Sequence, residues 1–330
     1  MWLKISPLIE GDLEAEDANI RTAAMNFLVE YARELAAACG SRQGDSEEDG
    51  IVIQQFQNVV MPEVFQWWTT VLSNHIQITT VDKCHAIRAL SCDFISYIPS
   101  NIFAPMPNDK KNFCIKTLLG FSKDESANVR AAACRGLGVY ILFPELQQDT
   151  KFATDMAYAA IQQMSDSHLL VRVRSSWALG NLCDTMVVLS NPENSNIRNT
   201  NLNEFLINVM WARIVKAGLN ASNDNDKVRW NACYAAANML HNPSFPIGTK
   251  NHWSTQLYES LIRVVQTSKN FKVRINACLA LATPMTREKY GDVTILCKIL
   301  HAIVSSIENV DNLSNTGFGE VKYQDQLRNQ

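Results

Sequence analysis

The sequence predicts an all-α fold, a right-handed α-solenoid in which similar helical hairpins stack into a superhelix. A short helical pattern recurs six times along the 330 residues, and further amphipathic segments lie between the copies. Hydrophobic residues make up 47% of the chain, which gives each hairpin an apolar face to bury. Because a single hairpin cannot cover that face by itself, neighbouring hairpins are expected to stack.

The recurring pattern starts with an aliphatic residue, position 0, and a basic residue at +1. Ala follows at +4, a small residue at +7 and Leu at +8. Positions 0, +4 and +8 fall on one face of a helix, so the pattern describes an apolar stripe. The clearest copies begin at Val228 and Val273, where five of six consecutive residues are identical. The copies begin at residues 20, 82, 129, 171, 228 and 273.

Each copy predicts the second, or B, helix of a hairpin. These helices are expected near residues 20–35, 82–98, 129–143, 171–187, 228–241 and 273–283. Two polar insertions, 40–50 and 190–203, explain the longer intervals between copies, and a polar tail occupies 310–330. Residues 1–330 are therefore predicted to form one solenoid of about six repeats.

Polar residues stand in the predicted turns at a fixed distance from the basic residue at +1. Asp124 lies six residues before Arg130, and Asp166 lies six residues before Arg172. Asp, Asn and Ser cap helices by accepting hydrogen bonds from free backbone N–H groups. These turns are therefore expected to end one helix and begin the next.

The turn Asp, the later Arg and the motif Val-Arg-x-x-Ala-x-x-Ala-Leu-Gly together resemble the HEAT repeat. Three intervals, of 47, 42 and 45 residues, match the ~40–47-residue period of HEAT and armadillo repeats. The resemblance covers about residues 15–310 and implies an armadillo-like superhelix of HEAT-type hairpins. In that family the turn Asp and the B-helix Arg of neighbouring repeats form a hydrogen-bonded ladder. The resemblance gives this role to Asp124, Arg130, Asp166, Arg172, Arg229 and Arg274.

The copy at residue 82 departs from the family pattern. Its first position is polar, and no acidic residue lies six positions before Lys83. Residues 171–184, 227–243 and 271–284 resemble the C-terminal region of a group of much longer HEAT proteins, for which no enzymatic activity is established. That resemblance implies that the sequence is a piece of a longer protein.

The composition argues against several classes of function. The net charge of −3 gives no overall attraction to nucleic acid or to an anionic membrane, and no apolar run approaches the ~18 residues of a membrane span. The nine cysteines form no Cys-x-x-Cys pair, and the six histidines show no metal-ligand spacing. We expect no catalytic residue, metal, cofactor, membrane or small-molecule substrate, and a location in the cytoplasm, the nucleus or both.

The remaining interpretation is a non-enzymatic scaffold for protein–protein interaction, whose partner the sequence does not identify. A nuclear transport receptor-like cargo binder is one alternative, because those receptors use the same repeat. A nucleic-acid-associated scaffold subunit is the other, and it would bind in a salt-dependent manner. The basic residues at +1 would then form a phosphate-binding track in place of a structural ladder.

Position +6 of each B helix faces away from the apolar stripe. Across the copies it is occupied by Asn26, Arg88, Arg135, Trp177, Tyr234 and Leu279. Because Trp, Tyr and Arg dominate interface hot spots, Arg88, Arg135, Trp177 and Tyr234 are candidate partner-binding residues. The alternative is that these side chains fill the contact between adjacent B helices.

Replacing Ala232 or Ala277 by Leu is expected to destabilise the protein by about 1–3 kcal/mol. Both alanines occupy position +4, where two helices should approach closely. Thermal unfolding of each variant measures the effect. An unchanged melting temperature would mean that the assigned repeat register is wrong.

Overall fold

The computed structural model describes residues 2–40, 60–189, 225–242, 245, 247 and 252–311. These residues form helices and turns and no strand. The predicted insertion 190–203 lies outside them, as do residues 41–50 of the first insertion and 312–330 of the tail. The chain divides into two compact units, Met1–Glu145 and Leu146–Gln330. The prediction of one solenoid over the whole chain therefore stays a prediction.

The first unit consists of consecutive helices. Its longer described helices are α1 (Trp2–Leu13), α2 (Ala18–Gly40), α3 (Met61–Val71), α4 (His85–Ser96), α5 (Asn108–Phe121) and α6 (Ala127–Tyr140). Helix α3 continues into a π-helical turn, Leu72–Ile76, and a short helix, Gln77–Thr79. Another short helix, Ser100–Phe103, precedes α5.

The second unit is built in the same way. Its longer described helices are α7 (Thr150–Gln163), α8 (Leu169–Leu189), α9 (Asp226–His241), α10 (His252–Thr267), α11 (Phe271–Ala282) and α12 (Val293–Asp311). A short helix, Pro144–Gln147, contains the boundary between the units, and a 3-10 helix, Arg287–Tyr290, precedes α12.

The B helices pack side by side within each unit. In the first unit α2 packs against α4, and α4 packs against α6. In the second unit α8 packs against α9, and α9 packs against α11. Several B helices also pack against the helix that precedes them in the chain, as α6 does on α5, α8 on α7 and α11 on α10.

Small and aliphatic residues make this close packing of the B helices feasible. The stripe at positions 0, +4 and +8 is fully buried in α9, where it reads Val228, Ala232 and Ala236. Gly136, at +7 in α6, leaves even less room. A Cβ atom at Gly136 would lie 2.7 Å from both Cδ2 of Leu118 and Oγ of Ser96. The small or absent side chains at these positions therefore set the spacing between the helices.

An aspartate closes three of the described turns in the same way. Its side chain accepts a hydrogen bond from the backbone amide two residues later, and the B helix begins one residue after that. These bonds join Asp82 to Cys84 (2.7 Å), Asp124 to Ser126 (2.8 Å) and Asp166 to His168 (2.7 Å). Such Asx turns supply partners for backbone donors that the helix start leaves open.

An arginine connects each of two turns to the next turn. Nη1 of Arg88 donates to the carbonyls of Asp82 (2.9 Å) and Lys83 (3.1 Å) in its own turn. Nε and Nη2 of Arg88 donate to the carboxylate of Asp124 at 2.9 and 3.0 Å. Arg21 binds the carboxylate of Asp82 in the same two-pronged way, at 2.8 and 3.1 Å. We call each such contact between neighbouring turns a rung.

The second repeat therefore starts at Ile87, five residues later than predicted. Asp82 stands six residues before Arg88, which is the spacing that lets an arginine reach back to the carbonyls of its own turn. Arg88 is thus the +1 residue, and position +6 is Asp93. The side chain of Arg88, a candidate partner-binding residue, lies in a rung and Arg88 is only 9% exposed, so a part in partner binding stays a prediction.

The predicted ladder residues behave differently along the chain. Arg130 and Arg172 donate to the carbonyls six and five residues earlier, at 2.8–2.9 Å. Arg229 instead donates to Asp226 in its own helix at 2.9 Å. Arg274 donates to the backbone carbonyl of Ser306 in α12 at 3.1 Å. The ladder role expected for Arg229 and Arg274 stays a prediction, since residues 223 and 224 of the turn before Arg229 lie outside the described residues.

A missing charge in the following turn explains the different partner of Arg229. Ser268 stands where the turn aspartate would be, and its neutral hydroxyl cannot form an ion pair. The connection between these turns runs instead from Nδ2 of Asn270 to Oδ2 of Asp226, at 3.0 Å. Asn270 also caps α11 by accepting from the amide of Lys272 at 3.0 Å.

The rung shifts the acidity of its carboxylate. Burial raises the pKa of Asp124, but the hydrogen bonds from Arg88 and from the Ser126 amide outweigh burial, so the net pKa lies below its ordinary value. Asp124 is therefore ionised at neutral pH. The rung is an ion pair as well as a pair of hydrogen bonds.

Replacing Arg88 by Ala is expected to destabilise the first unit by about 3 kcal/mol, because it leaves the carboxylate of Asp124 without its main cationic partner. Urea unfolding measures the change. Arg33→Ala is the matched control, since Arg33 pairs with Glu30 at 2.6 Å on the exposed surface of α2. Exposed pairs contribute little, so this variant should unfold at nearly the wild-type urea concentration. Equal effects of the two substitutions would show that the rung is not a main stabilising contact.

Candidate functional site

Each B helix of the second unit has an exposed stripe opposite its buried one. On α9 the stripe contains Lys227, Trp230 and Tyr234, because residues three or four apart share one face of a helix. Trp230 is 41% exposed and Tyr234 is 39% exposed. Two large aromatic side chains thus lie one turn apart at the surface.

The stripe on α11 adjoins the stripe on α9. It contains Lys272 and Leu279, and Leu279 is 41% exposed. Nζ of Lys272 lies 5.9 Å from the ring centre of Trp230, so a cation stands over an aromatic face. This contact joins the two stripes into one surface.

The third stripe belongs to α8, which packs on the other side of α9. It contains the exposed residues Leu170 and Arg174 and the half-buried Trp177. We call the combined surface of the three stripes the outer B face. It consists of Leu170, Arg174, Trp177, Lys227, Trp230, Tyr234, Lys272 and Leu279.

Amide side chains hold α9 against α8 along the length of both helices. Two asparagines of α9, and Asn242 directly after this helix, donate from Nδ2 to α8. Asn231 binds the carbonyl of Val173 (3.2 Å) and Oγ of Ser176 (3.0 Å), Asn238 binds the carbonyl of Gly180 (3.4 Å), and Asn242 binds the carbonyl of Met186 (3.2 Å). These bonds fix the register between the two helices and therefore the position of their exposed stripes.

Gly180 places the ring of Tyr234. A Cβ atom at Gly180 would lie 2.8 Å from Cδ1 of Tyr234, which is closer than packed carbon atoms approach. The absence of a side chain therefore lets the ring lie on the backbone of α8. Because the Tyr234 ring lies on Gly180, the aromatic surface of α9 extends onto the neighbouring helix α8.

The four candidate partner-binding residues are separated by the structure. Trp177 and Tyr234 lie on the outer B face of the second unit. Arg135 lies in the first unit, where Nη1 is 3.5 Å from Oδ1 of Asp93 and the guanidinium is 5.0 Å from the ring centre of Tyr97. Arg88 forms a rung. The part these residues play in binding stays a prediction.

Trp230, Lys227 and Lys272 were not predicted as site residues. The prediction used position +6 alone, whereas the exposed stripe also includes positions −1 and +2. The signal was present in the sequence, because Lys227, Trp230 and Tyr234 follow each other at intervals of three and four. A stripe defined by helical periodicity would have included them.

The chemistry of the outer B face is that of a binding surface. Its groups offer aromatic and aliphatic area, three cations and a phenol, but no pair of groups placed for proton transfer. The neighbouring thiols are buried, and burial raises the pKa of Cys233 to about 12 and of Cys278 to about 11. They are protonated at neutral pH and pack as small apolar side chains.

The described parts of the chain contain neither a metal-binding cluster nor a membrane-spanning helix. In those ranges no group of three His, Cys, Asp or Glu side chains is arranged to hold a metal ion. Nor is any helix there both long enough and apolar enough to span a bilayer.

The sequence matches no protein-family model. It is similar to an uncharacterized protein of Dictyostelium discoideum, with 25% identity over 76% of this chain and 26% of the relative. The chain thus spans about a quarter of the length of the curated relative it matches.

Solved structures with a similar fold are repeat proteins. The Kap95:Nup1 complex matches with a TM-score of 0.55 and 15% identity, over 95% of this chain and 34% of that chain. A designed armadillo repeat protein in complex with the peptide (KR)4 matches with a TM-score of 0.50 and 16% identity, over 84% of this chain and 98% of that chain. At these identities the likeness is one of fold. It confirms the predicted class, an all-α repeat fold of the armadillo and HEAT type.

Replacing Gly180 by Ala should stabilise the protein in only one of two backgrounds. In the wild-type protein the new methyl group displaces Tyr234, which offsets the helix-propensity gain of about 1 kcal/mol. In a Tyr234→Ala background the same substitution should stabilise the protein, because the ring is gone. Urea unfolding of the four proteins gives the coupling.

Gly120→Ala is the control for this cycle. Gly120 lies in α5, and a Cβ atom there would meet no other atom within 4 Å. This variant should gain stability regardless of the residue at 234. Equal effects of Gly180→Ala in both backgrounds would mean that the ring does not depend on the glycine.

Proposed function

We propose that the chain is a non-enzymatic scaffold that binds protein partners through the outer B face. The observation that carries this proposal is the pair of half-exposed rings, Trp230 and Tyr234, on one stripe of α9. Large aromatic side chains gain more from burial than any other residues, and they dominate the energy of protein interfaces. Leu279 and Trp177 extend this surface onto the neighbouring helices.

Contacts within the second unit hold several side chains of this surface. Tyr234 rests on Gly180, Trp230 is covered on one side by Lys272, and the asparagines of α9 fix that helix on α8. Side chains that are already ordered lose little conformational entropy on binding. This arrangement favours recognition of a defined segment by preformed contacts.

The first unit offers a weaker candidate surface at position +6. There Arg135 and Asp93 lie beside each other, and Arg135 also covers the ring of Tyr97. A partner would have to displace these contacts before it could bind Arg135. The proposal therefore places the main contacts at Trp177 and Tyr234, together with Trp230.

The relatives agree with an interaction role in general terms only. The designed armadillo protein is bound to a peptide, and Kap95 is bound to Nup1. Residues 171–184, 227–243 and 271–284 resemble the C-terminal region of HEAT repeat-containing protein six, a group for which no enzymatic activity is established. Cargo binding in nuclear transport, a nucleic-acid-associated role and a location in the cytoplasm or nucleus stay predictions.

Replacing Trp230 and Tyr234 together by Ala should reduce partner capture at least about tenfold, because hot-spot truncation typically costs 2 kcal/mol or more. The measurement is affinity purification from cells with quantitative mass spectrometry. Tyr158→Ala is the matched control, since Tyr158 is 54% exposed on α7, away from the outer B face. Circular dichroism and the melting temperature must match the wild-type protein. A folded double variant that retains every partner would refute the proposal.

A further inference from the structure

Helix α12 has an apolar stripe on each of two opposite sides. The first stripe consists of Ile295, Ile299 and Ala302, which are buried where α12 packs against α10. The second stripe begins two residues earlier, and two residues turn an α-helix by about 200°. The two stripes therefore face in nearly opposite directions.

The second stripe of α12 faces solvent. It consists of Val293, Cys297, Leu300 and Val304, whose intervals of three and four residues keep them on one face of the helix. Val293 is 49% exposed, Leu300 55% and Val304 53%, and Cys297 is exposed as well. A continuous apolar row of this kind on a protein surface marks a place where another molecule or segment binds.

Helix α10, which precedes α11 in its hairpin, differs from α12 in this respect. We call the first helix of a hairpin its A helix, so α10 is the A helix that belongs to α11. Leu257, Leu261 and Val265 of α10 are fully buried. The exposed side chains that the structure describes on α10 are polar: Thr255, Gln256, Glu259, Arg263, Gln266 and Thr267. Neighbouring helices thus cover the apolar sides of α10, whereas α12 has one covered side and one open side.

A groove of about 430 Å³ adjoins the second stripe. It is lined by Ile262 and Gln266 of α10 and by Cys297, Lys298 and His301 of α12. Cys297 belongs to both the groove and the stripe, so the two form one surface. Nζ of Lys298 lies 3.2 Å from a carboxylate oxygen of Glu259, which compensates the charge at the edge of the groove. The surface therefore favours an apolar occupant over a charged one.

We propose that the second stripe of α12 binds the A helix of one further hairpin of the same repeat type, at a surface separate from the outer B face. Helices α10 and α12 already pack against each other, so a further A helix would continue the same contact. The last repeat of a solenoid needs a polar outer side, and the second stripe of α12 is apolar. We assign the hairpin to a longer form of the same polypeptide, because this chain spans about a quarter of the length of its Dictyostelium relative.

The test displays two-hairpin proteins of consensus HEAT repeats, with a polar far side and four outward positions of the first A helix randomised. The library is depleted on the Leu300→Glu/Val304→Glu variant and then selected on the purified 330-residue chain. We expect enrichment of aliphatic and aromatic residues at the four positions. The enriched proteins should bind the variant at least about tenfold more weakly, because two apolar contacts are lost and two charges would be buried. Their affinity for the wild-type chain should change less than about twofold with salt, since no ion pair is involved.

Leu8→Glu/Val81→Glu is the matched control. It makes the same change at two exposed aliphatic side chains of the first unit, which are 67% and 80% exposed. This control should bind the enriched proteins within about twofold of wild type. Circular dichroism and the melting temperature of both variants should match the wild-type protein, because all four side chains are at least half exposed. Equal losses of binding in the two variants would overturn the proposal, since the effect would then reflect added charge alone.

The other outcomes separate this inference from the alternatives. Enrichment of polar residues at the four positions, or failure to obtain a binder that depends on Leu300 and Val304, would overturn it. Binders that are lost in the Trp230→Ala/Tyr234→Ala variant would also overturn it, because they would belong to the outer B face. Sedimentation velocity should show a monomer, and a dimer that Leu300→Glu/Val304→Glu dissociates would assign the stripe to a second copy instead. The proposed function would stand in each case, since its own test depends on Trp230 and Tyr234.

Discussion

The rung between neighbouring turns is the contact on which the packing of hairpins in the first unit depends. A turn leaves backbone carbonyls without helical partners, and Arg88 satisfies two of them while it binds the carboxylate of the following turn. Asp124 is itself held in place by the amide of Ser126. The guanidinium of Arg88 thus satisfies carbonyls of its own turn and fixes the position of the next turn. Because the paired side chains are almost buried, the B helices between them have little freedom to slide.

The second unit connects its described hairpins partly through amide side chains. Asparagines of α9 bind the backbone of α8 along its length, and Asn270 joins its turn to Asp226. Contacts of this kind do not need a cation in each turn. The unit can therefore present Lys227 and Lys272 on the outer B face beside the aromatic side chains. The second unit therefore differs from the first both in how its hairpins are connected and in the side chains that its B helices expose.

The fold class followed from the sequence because the buried stripe recurs with helical spacing, and small residues such as Ala232 and Gly136 mark close approach. The register of the second repeat could not be predicted from the sequence, because Asp82-Lys83 resembles the start of a copy although Asp82 lies in the turn. The candidate site was predicted in part. Tyr234 was identified from its position in the repeat, whereas Trp230 lies outside that position, and only packing shows that Lys272 reaches it.

The contact between Gly180 and Tyr234 links an internal position to the surface. A side chain at position 180 would force the ring of Tyr234 to turn away or helices α8 and α9 to move apart. Either change alters the exposed face although no surface residue is replaced. Glycine at 180 and an aromatic residue at 234 are therefore expected to covary among relatives. Where the glycine has been replaced, the ring should have been lost or exchanged, and the exposed face of α9 should have changed with it.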